Sequence, residues 1–240
     1  SIRARIEATF QEMIFFIVLY LFYGYTILMK IKYKLFCFFV ISFFALPVWA
    51  KCPDMGTPQL NIRFKYGKIH YINNKSSRDF PQAPASDVTG LTVTNLQRTA
   101  TGDAVMGRSN GSYCVTLGNL NVEIGFPRVD IYIDKKYQPG SCNYNVIKEH
   151  EEYHARVQQE GLKFFAPKIK QAYQMALKKI KPQETYSASL AQDIATKMVG
   201  QVEKDVLPLM KYVEQQLYEK NMVIDTSESY AKEAKRCPKW

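Results

Sequence analysis

The sequence predicts an α+β protein: an N-terminal signal segment, then a small, mostly antiparallel sheet, then three long helices, the first carrying the motif "HEEYH". Three observations lead there. Two apolar runs, 14–29 and 35–50, crowd into the first fifty residues. Alternating apolar residues mark several stretches between 61 and 134, the period of a strand. From about 143 onward the apolar residues recur every three or four positions, the period of a helix.

The first fifty residues have the pattern of an export signal. Met29 is followed by Lys30, Lys32 and Lys34, a basic start, and Leu35 to Val48 forms an apolar core. Val48-Trp49-Ala50 fits the small residues of a cleavage site. The reading is an upstream apolar segment, a signal over 29–50, and Lys51 as the first mature residue, in the periplasm or outside the cell. Each apolar run is shorter than the roughly 20 residues that span a bilayer. Lys51, not a small residue, precedes Cys52, which argues against a lipoprotein signal. A single domain over 51–240 follows, strand-rich to 140 and helical from 141.

Export makes disulfides the expected state of Cys52, Cys114, Cys142 and Cys237. Four cysteines allow three pairings. The expected one joins Cys52 to Cys237, tying the two ends together, and Cys114 to Cys142. The first fifty residues hold five of the 32 Lys/Arg and two of the 22 Asp/Glu, which leaves a net charge of +7 on 51–240. That suits a solvated basic surface with some attraction for an anionic envelope component. No basic motif interleaved with aromatics is present, so nucleic acid is not an expected partner.

In order along the domain, 61–72 alternates as a strand or hairpin, with Gly67 as its turn. Residues 73–90 read as a Pro/Ser/Asn loop. A strand starts at Leu91, and two more cover 112–126 and 128–134. Pro139-Gly140 ends the strand half. The first helix covers about 143–160, capped by Ser141 or Asn143. A second starts at Pro167, which suits a first helical position, with Ile169, Tyr173, Leu177 and Ile180 as its stripe; Pro182 ends it. The third opens at Ser189, with Gln192 three residues on as in a capping box. Leu190, Ile194, Met198, Val202, Val206, Met210, Val213 and Leu217 form its stripe, with a kink at Pro208. Such stripes are core rather than cofactor sites.

The motif lies within the first helix. His150 and His154, one turn apart, project side by side and could fill two corners of a tetrahedral zinc. Glu151 lies about 100° round the helix, placed to act as general base on a water rather than as a ligand. The third histidine, His70, stands alone in a strand and reads as ordinary packing or surface. Without zinc, the same pattern is a helix with two half-buried histidines.

The stretch "CNYNVIKEHEEYHARV", preceded by a strand and followed by long helices, resembles the zincin metallopeptidases, and more narrowly the secreted bacterial zinc-dependent proteases of uncharacterised substrate. The resemblance implies His150 and His154 as zinc ligands and Glu151 as catalytic base. It also implies a peptide or protein substrate, pairing by β-addition along a strand, here 128–134, above the motif helix. The third ligand stays open. Glu160 occupies the spacing of one zincin branch, but in a continuous helix it is about 9 Å further on and roughly 240° round. Asp193, Asp205, Glu184, Asp225 and Glu228 are the acidic candidates, with Glu203 pointing away. Tyr230 follows in the same C-terminal segment, and Tyr153 or Tyr144 could donate to an oxyanion. A different reading, from the basic second helix, is a non-catalytic envelope-binding module with structural zinc or none.

Overall fold

The computed structural model describes residues 52–81 and 88–240. The predicted signal and upstream segment lie outside them. The chain divides into Ser1–Ala50 and a compact unit, Lys51–Trp240, which has its own core and is the size of a domain that folds alone. The unit is α+β: a mixed five-stranded sheet and three helices. Among the described residues no helix is long and apolar enough to cross a membrane.

In chain order the elements are β1 (Gln59–Ile72), β2 (Gly90–Thr94), β3 (Gln97–Ser109), β4 (Ser112–Ile133), α1 (Cys142–Leu177), β5 (Gln183–Thr185), α2 (Ala191–Met222) and α3 (Ser227–Ala234). Strand β4 is the hub. Antiparallel β5 and then parallel β1 occupy one edge of it; antiparallel β3 and then antiparallel β2 occupy the other. Helices α1 and α2 cover one face, and the core lies between.

The 22 residues of β4 were expected as two strands broken at Pro127, yet they form one. Its core-facing residues explain how. They are Val115 and Leu117, then Leu120, Val122, Ile124 and Phe126, then Val129, Ile131 and Ile133. Strand side chains alternate faces, so the strand changes phase twice. The first change matches the register shift opposite Gly102 and Ala104 of β3, where an extra β4 residue is absorbed. The second falls at Pro127, which has no N–H for the ladder. There β3 hands over to β2.

Strand β1 changes phase at the same level, from Leu60, Ile62, Phe64 and Tyr66 to Ile69. Gly67, with φ 65°, allows it. Gly67 is therefore not the turn of a hairpin but a phase change within a single strand, and the parallel register with β4 continues unbroken past it. Strand β3, absent from the predicted set, carries few large apolar residues, so its alternation is faint.

The first two predicted helices are one. Helix α1 runs 36 residues and contains Pro167. Its buried face continues across the proline, through Leu162, Phe165, Ile169 and Tyr173. That burial offsets the hydrogen bond the proline cannot make. Ser141 caps its start, its hydroxyl accepting from the Tyr144 N–H. Helix α2 buries the predicted stripe except Leu190, which precedes it and is exposed. Ser189 does not cap α2; its hydroxyl pairs with that of Ser187. Helices α1 and α2 approach closely at Gly161, where a Cβ would lie 2.3 Å from Leu217 Cδ2.

The disulfides are Cys52–Cys114 and Cys142–Cys237, so the expected pairing is corrected. The first fixes the chain entering β1 to β4. The second joins the start of α1 to the segment after α3.

Candidate metal centre

Helix α1 presents His150 and His154 inward, 8 % and 5 % exposed. Their Nε2 atoms are 3.0 Å apart. Asp225 comes from the loop between α2 and α3, and its Oδ1 lies 3.0 Å from His150 Nε2 and 3.1 Å from His154 Nε2. These three are the one group of metal-binding character among the described residues, and they could hold a metal ion.

The outer ring nitrogens decide what the inner ones offer. His150 Nδ1 lies 2.8 Å from Glu233 Oε1, and His154 Nδ1 lies 3.0 Å from Asn221 Oδ1. Both partners are oxygen acceptors, so each Nδ1 carries the proton and each neutral Nε2 presents a lone pair. Two lone pairs and a carboxylate oxygen thus face one another at 3.0–3.1 Å. Only a cation, proton or metal, satisfies that arrangement. A tetrahedral ion with bonds of 2.0–2.1 Å sets its ligands about 3.3 Å apart, so the donor set fits with little adjustment.

Electrostatics say the same. Burial disfavours charge on His150, but the Asp225 and Glu233 carboxylates outweigh it and raise its pKa to about 9. His154 is raised too, burial again being overcome, here by Asp225 and Asn221. Burial would raise Asp225, yet hydrogen bonds from both histidines and from Tyr230 hold its carboxyl well below the usual range. Tyr230, on α3, donates to Asp225 Oδ1 at 2.6 Å and stacks on the His150 ring.

Glu151 sits beside this group, almost wholly buried. Burial pushes its carboxyl up, and the Thr92 hydroxyl and the two histidines offset that only in part. Thr92 Oγ1 lies 2.8 Å from both Glu151 Oε2 and the Glu151 carbonyl. Thr92 belongs to β2, and so does Gly90, where a Cβ would stand 2.6 Å from Glu151 Oε1. The strand beside the motif is therefore β2. The expected one, 128–134, is paired on both edges, with β1 and β2, and has no edge to offer a peptide. The outer edge of β2 carries no strand among the described residues.

Of the acidic candidates, only Asp225 reaches the histidines. Glu184, on β5, accepts from the Ser112 hydroxyl of β4. Asp205 pairs with Lys179 and Gln201, Glu228 pairs with Lys232, and Asp193 is exposed in the first turn of α2. Glu160 is exposed and paired with Lys163, as a continuous α1 requires. Glu203 binds Tyr173 and Arg98 away from the site. Tyr153 points outward under Arg156, and Tyr144 is a partly buried residue against the core. His70 is exposed on β1.

Sequence reasoning missed Gly90, Thr92, Asn221 and Glu233. The available signal was local: Asp225, Tyr230 and Glu233 cluster just before Cys237. No family model, curated protein or solved structure matches this chain.

Proposed function

We propose that residues 51–240 form an exported zinc metallopeptidase that hydrolyses peptide bonds. The observation that carries the reading is the convergence of His150 Nε2, His154 Nε2 and Asp225 Oδ1 beside the buried Glu151. Three protein ligands, with a fourth position left for solvent, is the pattern of catalytic rather than structural zinc. Zinc is favoured because two imidazoles and one carboxylate at near-tetrahedral spacing suit it.

When bound, zinc would supply Lewis acidity, polarising a carbonyl and acidifying water. Glu151 does the proton work. Its carboxylate takes the proton of the attacking water and returns it to the leaving amine. Its raised pKa matches that double duty, and Thr92 fixes its orientation. Glu233 and Asn221 hold the two imidazoles in the metal-binding tautomer. An extended peptide can add to the outer edge of β2, which passes directly beside Glu151. Two disulfides fit an oxidising compartment, in keeping with export.

The test is metal analysis and hydrolysis by the purified 51–240 protein. Close to one equivalent of zinc is expected, lost in Asp225→Ala. Less than about a tenth of an equivalent, from protein never exposed to chelator, overturns the reading. Glu151→Gln should keep its zinc while cleavage of a denatured protein substrate drops by about 10²–10⁴-fold.

A further inference from the structure

A cavity of about 430 Å³ opens on the Glu151 side of the histidines, within the roughly 300–1,000 Å³ range of ligand clefts. Its polar end is His150, Glu151, Tyr230 and Glu233; the rest is largely apolar, with Val88, Ile147, Ala234 and Trp240. Among the described residues no lysine or arginine lines it. A larger cavity, about 610 Å³, borders His150 from the side of Tyr153 and Arg156 but does not reach Glu151, and neither cavity is lined by His154 or Asp225. The smaller cavity is therefore the one that reaches both His150 and Glu151.

Trp240 is held as a wall of that cavity. Its Nε1 donates to the Ala234 carbonyl at 2.8 Å, and its ring meets Tyr137 edge-on at 6.3 Å. Asn143 donates to the Lys239 carbonyl at 2.7 Å, and Cys237 is bonded to Cys142. The tail after α3 is thus stapled to the start of α1, which places the indole in the lining of the same cavity as Ile147.

We infer that this cavity is a specificity subsite for a large apolar side chain of the peptide substrate, with Trp240 as the residue that sets the preference. The inference rests on the metallopeptidase reading and adds a substrate class to it. An apolar side chain covers Val88, Ile147 and the indole and displaces water from them. An acidic side chain would stand beside Glu233, and in the wild type beside Glu151 as well, with no lysine or arginine among the described lining residues to pair with it.

Trp240 is the only tryptophan in 51–240, so its fluorescence reports on the cavity directly. The experiment uses zinc-loaded Glu151→Gln protein, which binds without turnover. It is titrated with blocked tetra-alanine peptides in which phenylalanine or glutamate is walked through each position. At least one phenylalanine peptide should bind about tenfold tighter than tetra-alanine and shift the Trp240 emission, with no gain for glutamate. In Trp240→Ala on the same background, followed by calorimetry, the phenylalanine advantage should fall to about threefold or less while zinc content stays constant.

Phenylalanine peptides that bind no better than tetra-alanine, or not at all, overturn the inference; so does tight binding that leaves the emission unchanged. Wild-type hydrolysis without apolar preference removes the subsite and leaves the peptidase. Selective apolar binding by a protein that hydrolyses nothing removes the peptidase and leaves the subsite.

Discussion

At the scale of single residues, Gly90 shows how tightly the proposed base is enclosed. A Cβ there would stand 2.6 Å from Glu151 Oε1, 2.6 Å from Ile147 Cγ2 and 2.9 Å from Glu151 Cγ. All three are closer than side chains tolerate, and Glu151 cannot simply swing away, because Thr92 holds its other oxygen at 2.8 Å. Gly90→Ala therefore displaces either the carboxylate or β2. The expected result is a loss of kcat/KM of more than tenfold, zinc content unchanged, and about 1–3 kcal/mol of lost stability from overpacking. Steady-state kinetics, metal analysis and a denaturant melt on one preparation check it. Wild-type kinetics in Gly90→Ala would mean that the position of Glu151 does not matter to turnover.

At the scale of elements, the centre is a joint between α1 and the α2–α3 corner. Helix α1 brings the histidines and Glu151. The end of α2 brings Asn221, the corner brings Asp225, and α3 brings Tyr230 and Glu233. What a helix supplies by its own periodicity was legible in the sequence: two histidines four apart must share a face, and the stripe of α2 must be core. Asp225 was legible only as one of five acidic candidates, because it reaches the histidines through the α2–α3 corner and not through the periodicity of a helix. The expected Cys52–Cys237 bond would have anchored the tail elsewhere. Nor was β2's place legible, since Gly90 and Thr92 approach Glu151 only once β3 hands over to β2 beyond Pro127. Pro127 and Pro167 looked like breaks for one reason, a missing N–H, and in both cases a continuous buried face carried the element through.

The Cys142–Cys237 bond should thus matter to the metal more than to the fold alone. It closes a separation of 95 residues, the other bond one of 62, and chain-entropy arguments give both about 4–5 kcal/mol. Removing either pair should lower the melting temperature similarly. Only the double change Cys142→Ser with Cys237→Ser should also weaken zinc binding, by about 10–100-fold, through looser Glu233 and Asp225. Competition against a chelator of known affinity reads this, with Cys52→Ser and Cys114→Ser as the comparison. Equal zinc affinity in the two double variants would dissolve the link between clamp and centre.

At the scale of the whole molecule, the centre should make stability depend on pH without metal and hardly at all with it. In the metal-free protein the His150 pKa of about 9 lies above its unfolded value of 6.5. Its contribution is then complete below about 6.5 and is lost as pH rises through about 9. Glu151, raised by burial, acts in the same direction, since its buried carboxyl binds its proton more tightly in the folded state. Asp225, held low, contributes above its unfolded value of 3.8 and loses that contribution only as pH falls below it. Chelated protein should therefore be most stable on the mildly acid side of neutrality and should lose melting temperature steadily from pH 6.5 to 9. On the proposed reading zinc would compete with protons for the same Nε2 lone pairs, so its binding should strengthen over that interval. The zinc-loaded protein should hold its melting temperature there, and the gap between the two curves should widen with pH. His150→Ala should make the metal-free curve shallower and narrow the gap, because the group that binds the proton is the one proposed to bind the metal. Parallel melting curves with and without zinc between pH 6.5 and 9 would show that protons and metal do not share a site.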